Sequence, residues 1–431
     1  MKKPIDPNLN KNGSDLFLGG SRDSKPKSSP IEPKVGDDIE SILMSGTSSK
    51  DKKADNFEIT AYNQADQTKE YHHHHQHHHH HHHGGSHHRS HRHNKKKMPK
   101  ATKILLVILA IILLIVTIIG ITFLVLRSQG EKNIKPTNTN SEYEDIIEYK
   151  GEKYRYNRDV ISIAFFGVDQ EKMYSTKDAE FVGCTDADIL VTVNTKTGES
   201  KVIAVPRDTM VDVDQYNKDG EFVKTGNVQL CLAYAYGDGR EKSCSNAVNA
   251  MSRILYDVPI EKYFVLNLEG VAPINDSIGG VIVDSIYDLP QFGISKGKTV
   301  RLMGDAAKAY VRTRDMDTIN ASLNRTQRQV QYINAFAKQV VPAVLKDFGV
   351  VSDLYNTAAA YSQTNLSLSD ATYLASLLLS KGVTSFETYT LQGEMKEATS
   401  TEYPDAVYAE FYPDEELLMN TILEVFYEKA E

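Results

Sequence analysis

DVISIAFFGV, residues 159–168, is almost wholly apolar, mixes β-branched with aromatic side chains and runs into Asp169. A run of that length without polar alternation is a strand covered on both faces, as strands are inside an α/β sheet. Working outward, ILVTV (189–193), a turn at Asn194–Gly198 and Val202–Val205 add two more strands, and EYKGEKYRYN (148–157) reads as a hairpin turning at Lys150-Gly151. Downstream the pattern alternates. Leu230–Gly237 and Ser245–Leu255 are helical in composition, Tyr263–Leu268 is a strand, Val271–Ile278 a short helix and Val281–Ser285 a strand. Gly304–Val311 and Asn324–Leu345 are helices, the second ending near Pro342, and the tail past residue 350 alternates helices with a strand near Glu387–Leu391. Strands alternating with helices predict an α/β fold, a central mixed sheet flanked by helices.

Upstream the composition changes. ILLVILAIILLIVTIIGITFLVL, Ile104–Leu126, carries no charge and no proline. At about 1.5 Å per residue it is long enough to cross a hydrocarbon core of about 30 Å. Residues 1–103 are rich in Ser, Lys, Asp, Asn and His and poor in large apolar side chains, a composition expected to stay disordered. Arg89, Arg92, Lys95, Lys96, Lys97, Lys100 and Lys103 precede the apolar run, and Arg127 follows it. The positive-inside bias places the N-terminus in the cytoplasm and the rest outside. The expected organisation is a cytoplasmic tail (1–103), a single transmembrane helix (104–126), a polar juxtamembrane linker (127–147) and an extracellular domain (148–431). Up to Lys103 the chain holds 18 basic against 12 acidic residues, and beyond it 31 against 45, giving the net −8. An acidic ectodomain argues against nucleic-acid binding, which needs a basic footprint.

All 15 histidines fall in residues 72–93. That tract is either a metal-binding segment or low-complexity sequence with incidental affinity. Its more useful consequence is negative: with no histidine beyond residue 93, the ectodomain has no Ser-His-Asp triad, no HExxH zinc site and no histidine base. Chemistry there must run on carboxylates and arginines, with or without a metal held by oxygen ligands. Three cysteines, Cys184, Cys231 and Cys244, allow three single disulfides. Cys231 and Cys244 are the preferred pair, since they flank a short glycine-containing segment, and Cys184 is left as a thiol.

Four arginines, Arg312, Arg314, Arg325 and Arg328, crowd into AYVRTRDMDTINASLNRTQRQ (309–329), and Arg207 stands in AVPRD (204–208). Such a cluster is either a solvated face with ordinary salt bridges or an anion site. Guanidinium matches phosphate oxygens two at a time. Arg312 and Arg314 share a face if that segment is extended, and Arg325 shares a helical face with Arg328 and Gln329. Asp169 stands at the end of a buried strand, where α/β sheets place ligands, and CTDADILVTVN (184–194) brings Asp186 and Asp188 to another. If Asp169 and Asp186 converge, they suit a hard divalent cation.

The ordered motifs GVD, TDA, VPRD, AYAYG, SIGGV, GDAAKAYVRTR and NRTQRQ resemble the LytR–CpsA–Psr family of cell-envelope proteins over roughly residues 148–431. The resemblance implies a phosphotransferase that moves a glycopolymer from a polyprenyl-pyrophosphate carrier to peptidoglycan. It implies Mg²⁺ (or Mn²⁺) on Asp169 and Asp186. It also implies a pyrophosphate-binding, catalytic set of Arg207, Arg312, Arg314, Arg325 and Gln329, and an apolar pocket for the polyprenyl chain. Arg328 yields to Gln329 in that match. The sequence departs from the family pattern at Cys184 (usually Arg), at Gln229-Leu230-Cys231 (usually Lys-Ile-Asn) and at Ser322 (usually an acid). A hydrolase of the same lipid pyrophosphate, and a membrane-bound regulator without catalysis, are the alternative functions.

Overall fold

The computed structural model describes residues 99–134, 146–170, 182–217, 220–315, 318–383, 386–399 and 407–430. The histidine tract and the tail through residue 98 lie outside the described residues. The first element is a 35-residue helix, α1 (Lys100–Ile134). A hairpin follows, β1 (Ile146–Tyr149) and β2 (Glu152–Tyr156), turning at Lys150-Gly151, both with positive φ. Then come β3 (Val160–Val168), β4 (Thr185–Asn194), β5 (Ser200–Val205), β6 (Met210–Tyr216) and β7 (Phe222–Gln229). Helices α2 (Leu232–Ala235) and α3 (Glu241–Ile254) lead to β8 (Lys262–Asn267), and α4 (Val271–Ser277) to the two-stranded β9 (Val281–Asp284) and β10 (Thr299–Leu302). Helix α5 (Asp305–Arg312) precedes the longest helix of the domain, α6 (Ala321–Lys346), which runs through Pro342 instead of stopping there. The rest is α7 (Gly349–Ala359), β11 (Ser362–Thr364), α8 (Leu368–Ser380), β12 (Glu387–Thr390), the hairpin β13 (Gly393–Thr399) and β14 (Val407–Pro413), α9 (Glu415–Phe426) and β15 (Tyr427–Lys429).

The central sheet has six strands in the order β11-β8-β3-β4-β5-β12. It is mixed, as expected: β3 pairs parallel with β8 and antiparallel with β4, β4 antiparallel with β5, and β5 parallel with β12. Every residue of β5 and nearly all of β3 are buried, which is why these strands lack polar alternation. On one face they pack with α3, through Ala247, Ala250, Met251 and Ile254, and with α9, through Leu418, Ile422 and Phe426. Because β3, β5, β8 and β12 run in one direction and β4 runs against them, the ends of β3 and β5 and the start of β4 share one edge of the sheet.

Helix α1 corrects the expected boundaries. The apolar run is exposed and long enough to cross a membrane, but the helix begins at Lys100 and continues eight residues past Leu126. Residues 127–134 are therefore no polar linker; they are the helix end that docks on the domain. Ile134 is buried with Ile161, Val193, Tyr373 and Leu377. Asn133 Nδ2 donates to Asp370 Oδ1 at 3.1 Å, and Lys262 Nζ pairs with the other oxygen of this fully buried acid at 3.0 Å. Gly130 makes the crossing possible, because a Cβ there would lie 2.0 Å from the backbone oxygen of Ser369. Nearer the apolar run, Phe123 meets Phe348 edge-to-face at 5.0 Å between centroids.

Candidate functional site

The site stands on the shared edge of the sheet. Asp169 follows β3, Arg207 follows β5, and Asp186 opens β4. Its placement comes from a bulge. Gly167 pairs with Ala187 and Val168 with Thr185, so the ladder skips Asp186. An extra residue in one strand bends it and re-aims the side chain, a device common beside active sites.

Asp186 is the hub. Arg325 grips it with both terminal nitrogens, Nη1 to Oδ2 at 2.8 Å and Nη2 to Oδ1 at 3.0 Å, and Arg207 Nη1 bonds the same Oδ1. Gln329, one turn beyond Arg325 on α6, donates from Nε2 to the Asp186 carbonyl at 3.1 Å and to Val311 at 3.1 Å. Burial opposes the charge on Asp186, but Arg207, Arg325 and Arg314 outweigh it and hold the carboxyl below its ordinary range. Arg207 is further fixed by the Cys231 thiol, which accepts from Nη2 at 2.9 Å, and by Asp208, 3.6 Å from Nε. Pro206 precedes it, so the guanidinium leaves the sheet from a rigid point. Asp208 in turn accepts a hydrogen bond from Ser322 Oγ, stapling the first turn of α6 to the end of β5.

Asp169 lies at the rim. Desolvation on its protein side raises its pKa first, and the nearby charge of Asp186 adds to this, against the Cys184 backbone N–H that bonds its Oδ1 at 2.8 Å. Asp169 follows β3 and Asp186 opens the neighbouring β4, so the two acids stand at the same end of the sheet. Arg314 lies just past the C-cap of α5 and acts on Asp186 by charge. Arg312 closes the last turn of α5; the extended backbone begins only at Thr313, so the expected shared extended face does not form. Both arginines are exposed. Arg328 is different. It is buried, donates to the carbonyls of Tyr310 (3.0 Å) and Thr313, and stacks 4.1 Å over the Tyr287 ring. It holds the end of α5 in place, a structural role.

Asp188 is a residue whose role sequence reasoning left open. It is 2% exposed, and neither carboxylate oxygen has a hydrogen-bond partner among the described residues. The same holds for Nε of Arg207 and Nε of Arg325. Burial pushes the Asp188 carboxyl up to about 7. The only signal in the sequence was an acid inside an apolar strand. Asp208 was legible only as a salt-bridge partner of its neighbour.

The preferred disulfide is a correction. All three cysteines are free and buried. The Cys244 thiol sits on the inner face of α3 and donates to Gln363 Oε1 of β11 at 3.3 Å, whereas Cys231 points at Arg207. Closeness in sequence did not bring them together because α2 and the following turn separate their directions. The Cys231 backbone instead runs beside that of Cys184, its carbonyl accepting from the Thr185 N–H at 3.1 Å.

Among the described residues no group of three or more His, Cys, Asp or Glu side chains is gathered for a metal, so a cation here would rest on two carboxylates and on ligands from outside the chain. Asp169 and Asp186 are two carboxylates on adjacent strand ends, and water and phosphate oxygens would have to complete the shell of any hard cation they hold. A cavity of about 160 Å³ lies elsewhere, lined by Thr388, Tyr389, Leu391, Leu417, Leu418 and Thr421; it includes no site residue.

Comparison with known proteins places the chain in a family. The model of the LytR_cpsA_psr family matches residues 122–420. Biofilm regulatory protein A of Streptococcus mutans serotype c is 28% identical over 243 residues, 54% of this chain and 56% of that protein. The polyisoprenyl-teichoic acid–peptidoglycan teichoic acid transferase TagU of Halalkalibacterium halodurans is 29% identical over 184 residues, 42% of this chain and 54% of that one. The chain thus spans a little over half the length of these curated relatives. The crystal structure of Bacillus subtilis TagV aligns with a TM-score of 0.49 at 23% identity, covering 62% of this chain and 98% of that one. With the family model covering more than half of its length, the chain belongs to the LytR_cpsA_psr family.

Proposed function

We propose that this chain is a phosphotransferase that moves a glycopolymer from a polyprenyl-pyrophosphate carrier to peptidoglycan. The observation that carries the reading is the convergence of Arg207 and Arg325 on one carboxylate, with Arg314 close by, at a single edge of the sheet. Packing guanidinium groups this closely suits a site that receives a multiply charged anion. The name of the TagU relative, a teichoic acid transferase acting between a polyisoprenyl carrier and peptidoglycan, fits this substrate class.

In this mechanism the acceptor hydroxyl oxygen joins the phosphorus that carries the glycopolymer. The bond to the bridging oxygen breaks, polyprenyl phosphate leaves, and the hydroxyl proton is released. Arg207, Arg312, Arg314 and Arg325 bind the phosphate oxygens, and Gln329 fixes the backbone of Asp186. Binding swaps the Arg325–Asp186 pair for contacts with phosphate, so the arginines stay compensated before and after. Mg²⁺ or Mn²⁺, held by Asp169 and Asp186, would supply charge neutralisation at the pyrophosphate. The remaining work is positioning, done by the rigid exit at Pro206, the staple at Asp208 and the brace of Arg328.

The orientation belongs to the same proposal. A helix whose apolar run is exposed needs lipid around it, and the basic residues before it favour a cytoplasmic N-terminus with the domain outside. Full-length protein in lipid nanodiscs, given polyprenyl-pyrophosphate glycopolymer and peptidoglycan, should form glycan-linked peptidoglycan with Mg²⁺ and stop in EDTA. Free glycan phosphate without linkage would mean a hydrolase, and turnover indifferent to EDTA would remove the metal from the mechanism.

A further inference from the structure

The two thiols of the site are neighbours. Cys184 ends the segment leading into β4, and Cys231 ends the segment leaving β7. They are 47 positions apart in the chain, yet the backbone N–H of Thr185 donates to the carbonyl of Cys231 at 3.1 Å. Chains joined in this way run about 5 Å apart, within the Cα separations of about 4.4–6.8 Å that a disulfide spans. Cys184 is 8% exposed and Cys231 1%. Cys244 is elsewhere, bonded to Gln363.

Each of the two cysteines anchors one half of the site. Cys184 holds Asp169 in both directions, its N–H donating to Oδ1 at 2.8 Å and its carbonyl accepting from the Asp169 N–H at 3.1 Å. Cys231 holds Arg207 in both directions, its N–H donating to the Arg207 carbonyl at 3.0 Å and its sulfur accepting from Nη2 at 2.9 Å. A covalent link between them would tie the acid-bearing strand ends to the arginine-bearing exit of β5.

We propose that Cys184 and Cys231 are a disulfide-forming pair that locks the metal-binding acids and Arg207 into one rigid unit once the domain is outside the membrane. The proposal rests on the outward orientation argued above, because an external compartment lets disulfides persist. The two thiols give up two protons and two electrons and form one S–S bond. A disulfide of a thiol–disulfide oxidoreductase or of a small external dithiol accepts them and leaves as two thiols. Because both sulfurs are buried in the finished fold, exchange takes place as the domain folds. Cys244 takes no part.

The test uses the full chain, extracted from its membrane without reductant and alkylated with N-ethylmaleimide under denaturing conditions. The expected result is alkylation of Cys244 alone, with Cys184 and Cys231 recovered as one linked peptide pair and both alkylated only after reduction. Intact cells treated beforehand with a membrane-impermeant lysine reagent report orientation independently. Ectodomain lysines labelled while Cys184 and Cys231 are both alkylated without reduction would overturn the bridge and leave the transferase reading standing. Unlabelled ectodomain lysines would overturn the orientation on which it rests. A bridge enclosing a loop of this length should also make the melting temperature fall on reduction, by roughly 5–10 °C. The Cys184→Ser/Cys231→Ser double variant should show no such fall. A wild-type melting temperature unmoved by reductant overturns the proposal.

Discussion

Arg325 and Asp186 form a two-pronged pair in which each terminal guanidinium nitrogen takes its own carboxylate oxygen, at 2.8 and 3.0 Å, with the arginine 1% exposed. A cation this deeply buried exists only with a partner, and removing the partner from such a pair costs about 3–5 kcal/mol. Burial pulls the Arg325 pKa down, and Arg207 and Arg314 pull it further, while Asp186 pulls the other way.

Lysine keeps the charge of Arg325 and loses the fork. Arg325→Lys should therefore lower transfer about 100-fold, the size of one lost transition-state donor. Its melting curve should fall far less than that of Asp186→Ala, which strands two guanidinium groups. Transfer within about threefold of wild type would contradict a phosphate-binding role for this residue.

Neighbouring arginines should separate by role. Arg312 and Arg314 are exposed, so their alanine variants should change stability by no more than about 0.5 kcal/mol while abolishing transfer. Arg328→Ala should do the reverse on stability. It removes donors to Tyr310 and Thr313 and a stacked cation, at a cost of about 2–4 kcal/mol. Thermal unfolding set beside single-turnover transfer distinguishes the two classes.

Gly130 is a contact point that no larger residue can occupy. Gly130→Val places a branched side chain against the Ser369 backbone oxygen and should cost about 1–3 kcal/mol by pushing α1 off α8. Gly120→Val is the matched control, since nothing lies within 4 Å of its would-be Cβ. Equal melting temperatures for the two variants would show that the docking contributes no stability.

Glu261 accepts a hydrogen bond from the Ser162 N–H at 2.8 Å, and burial pushes its carboxyl up to about 6. The folded state then holds a proton that the unfolded chain has released. Stability from this group declines as pH rises from about 4.5 to about 6 and is constant above. Glu261→Gln keeps an acceptor for Ser162 and cannot ionise. Its chemical-denaturation free energy should lack that decline and exceed wild type by about 2 kcal/mol at pH 7. Parallel curves for the two proteins across that window would refute the assignment.

Sequence made the interior strands plain and the surface ones obscure. β3 and β5 are buried on both faces and read as unbroken apolar runs. β7 (FVKTGNVQ) and β13 (GEMKEAT) were missed because solvent lies along much of their length and charged residues interrupt any apolar pattern, whereas β6 (MVDVDQY) alternates buried Val211 and Val213 with Asp212 and Asp214, a short period-2 signal that was overlooked. The acids and arginines of the site were visible as residue types; the bulge that aims Asp186 was not, since it exists only relative to β3. The cysteine pairing failed for the same reason. Cys231 finds its neighbour across the sheet edge in Cys184, and nothing local to either residue encodes that meeting.

Helix α1 runs without a break from its apolar run into the domain. Eight helical residues past Leu126 correspond to about 12 Å of rise. That stretch behaves as a ruler and not as a leash. With its height fixed, the domain keeps two freedoms, sliding in the plane of the bilayer and swivelling about its normal. If the apolar run lies in lipid as proposed, a donor carried in the same plane would be met by lateral diffusion, and the rigid junction would set how far the site stands from the leaflet.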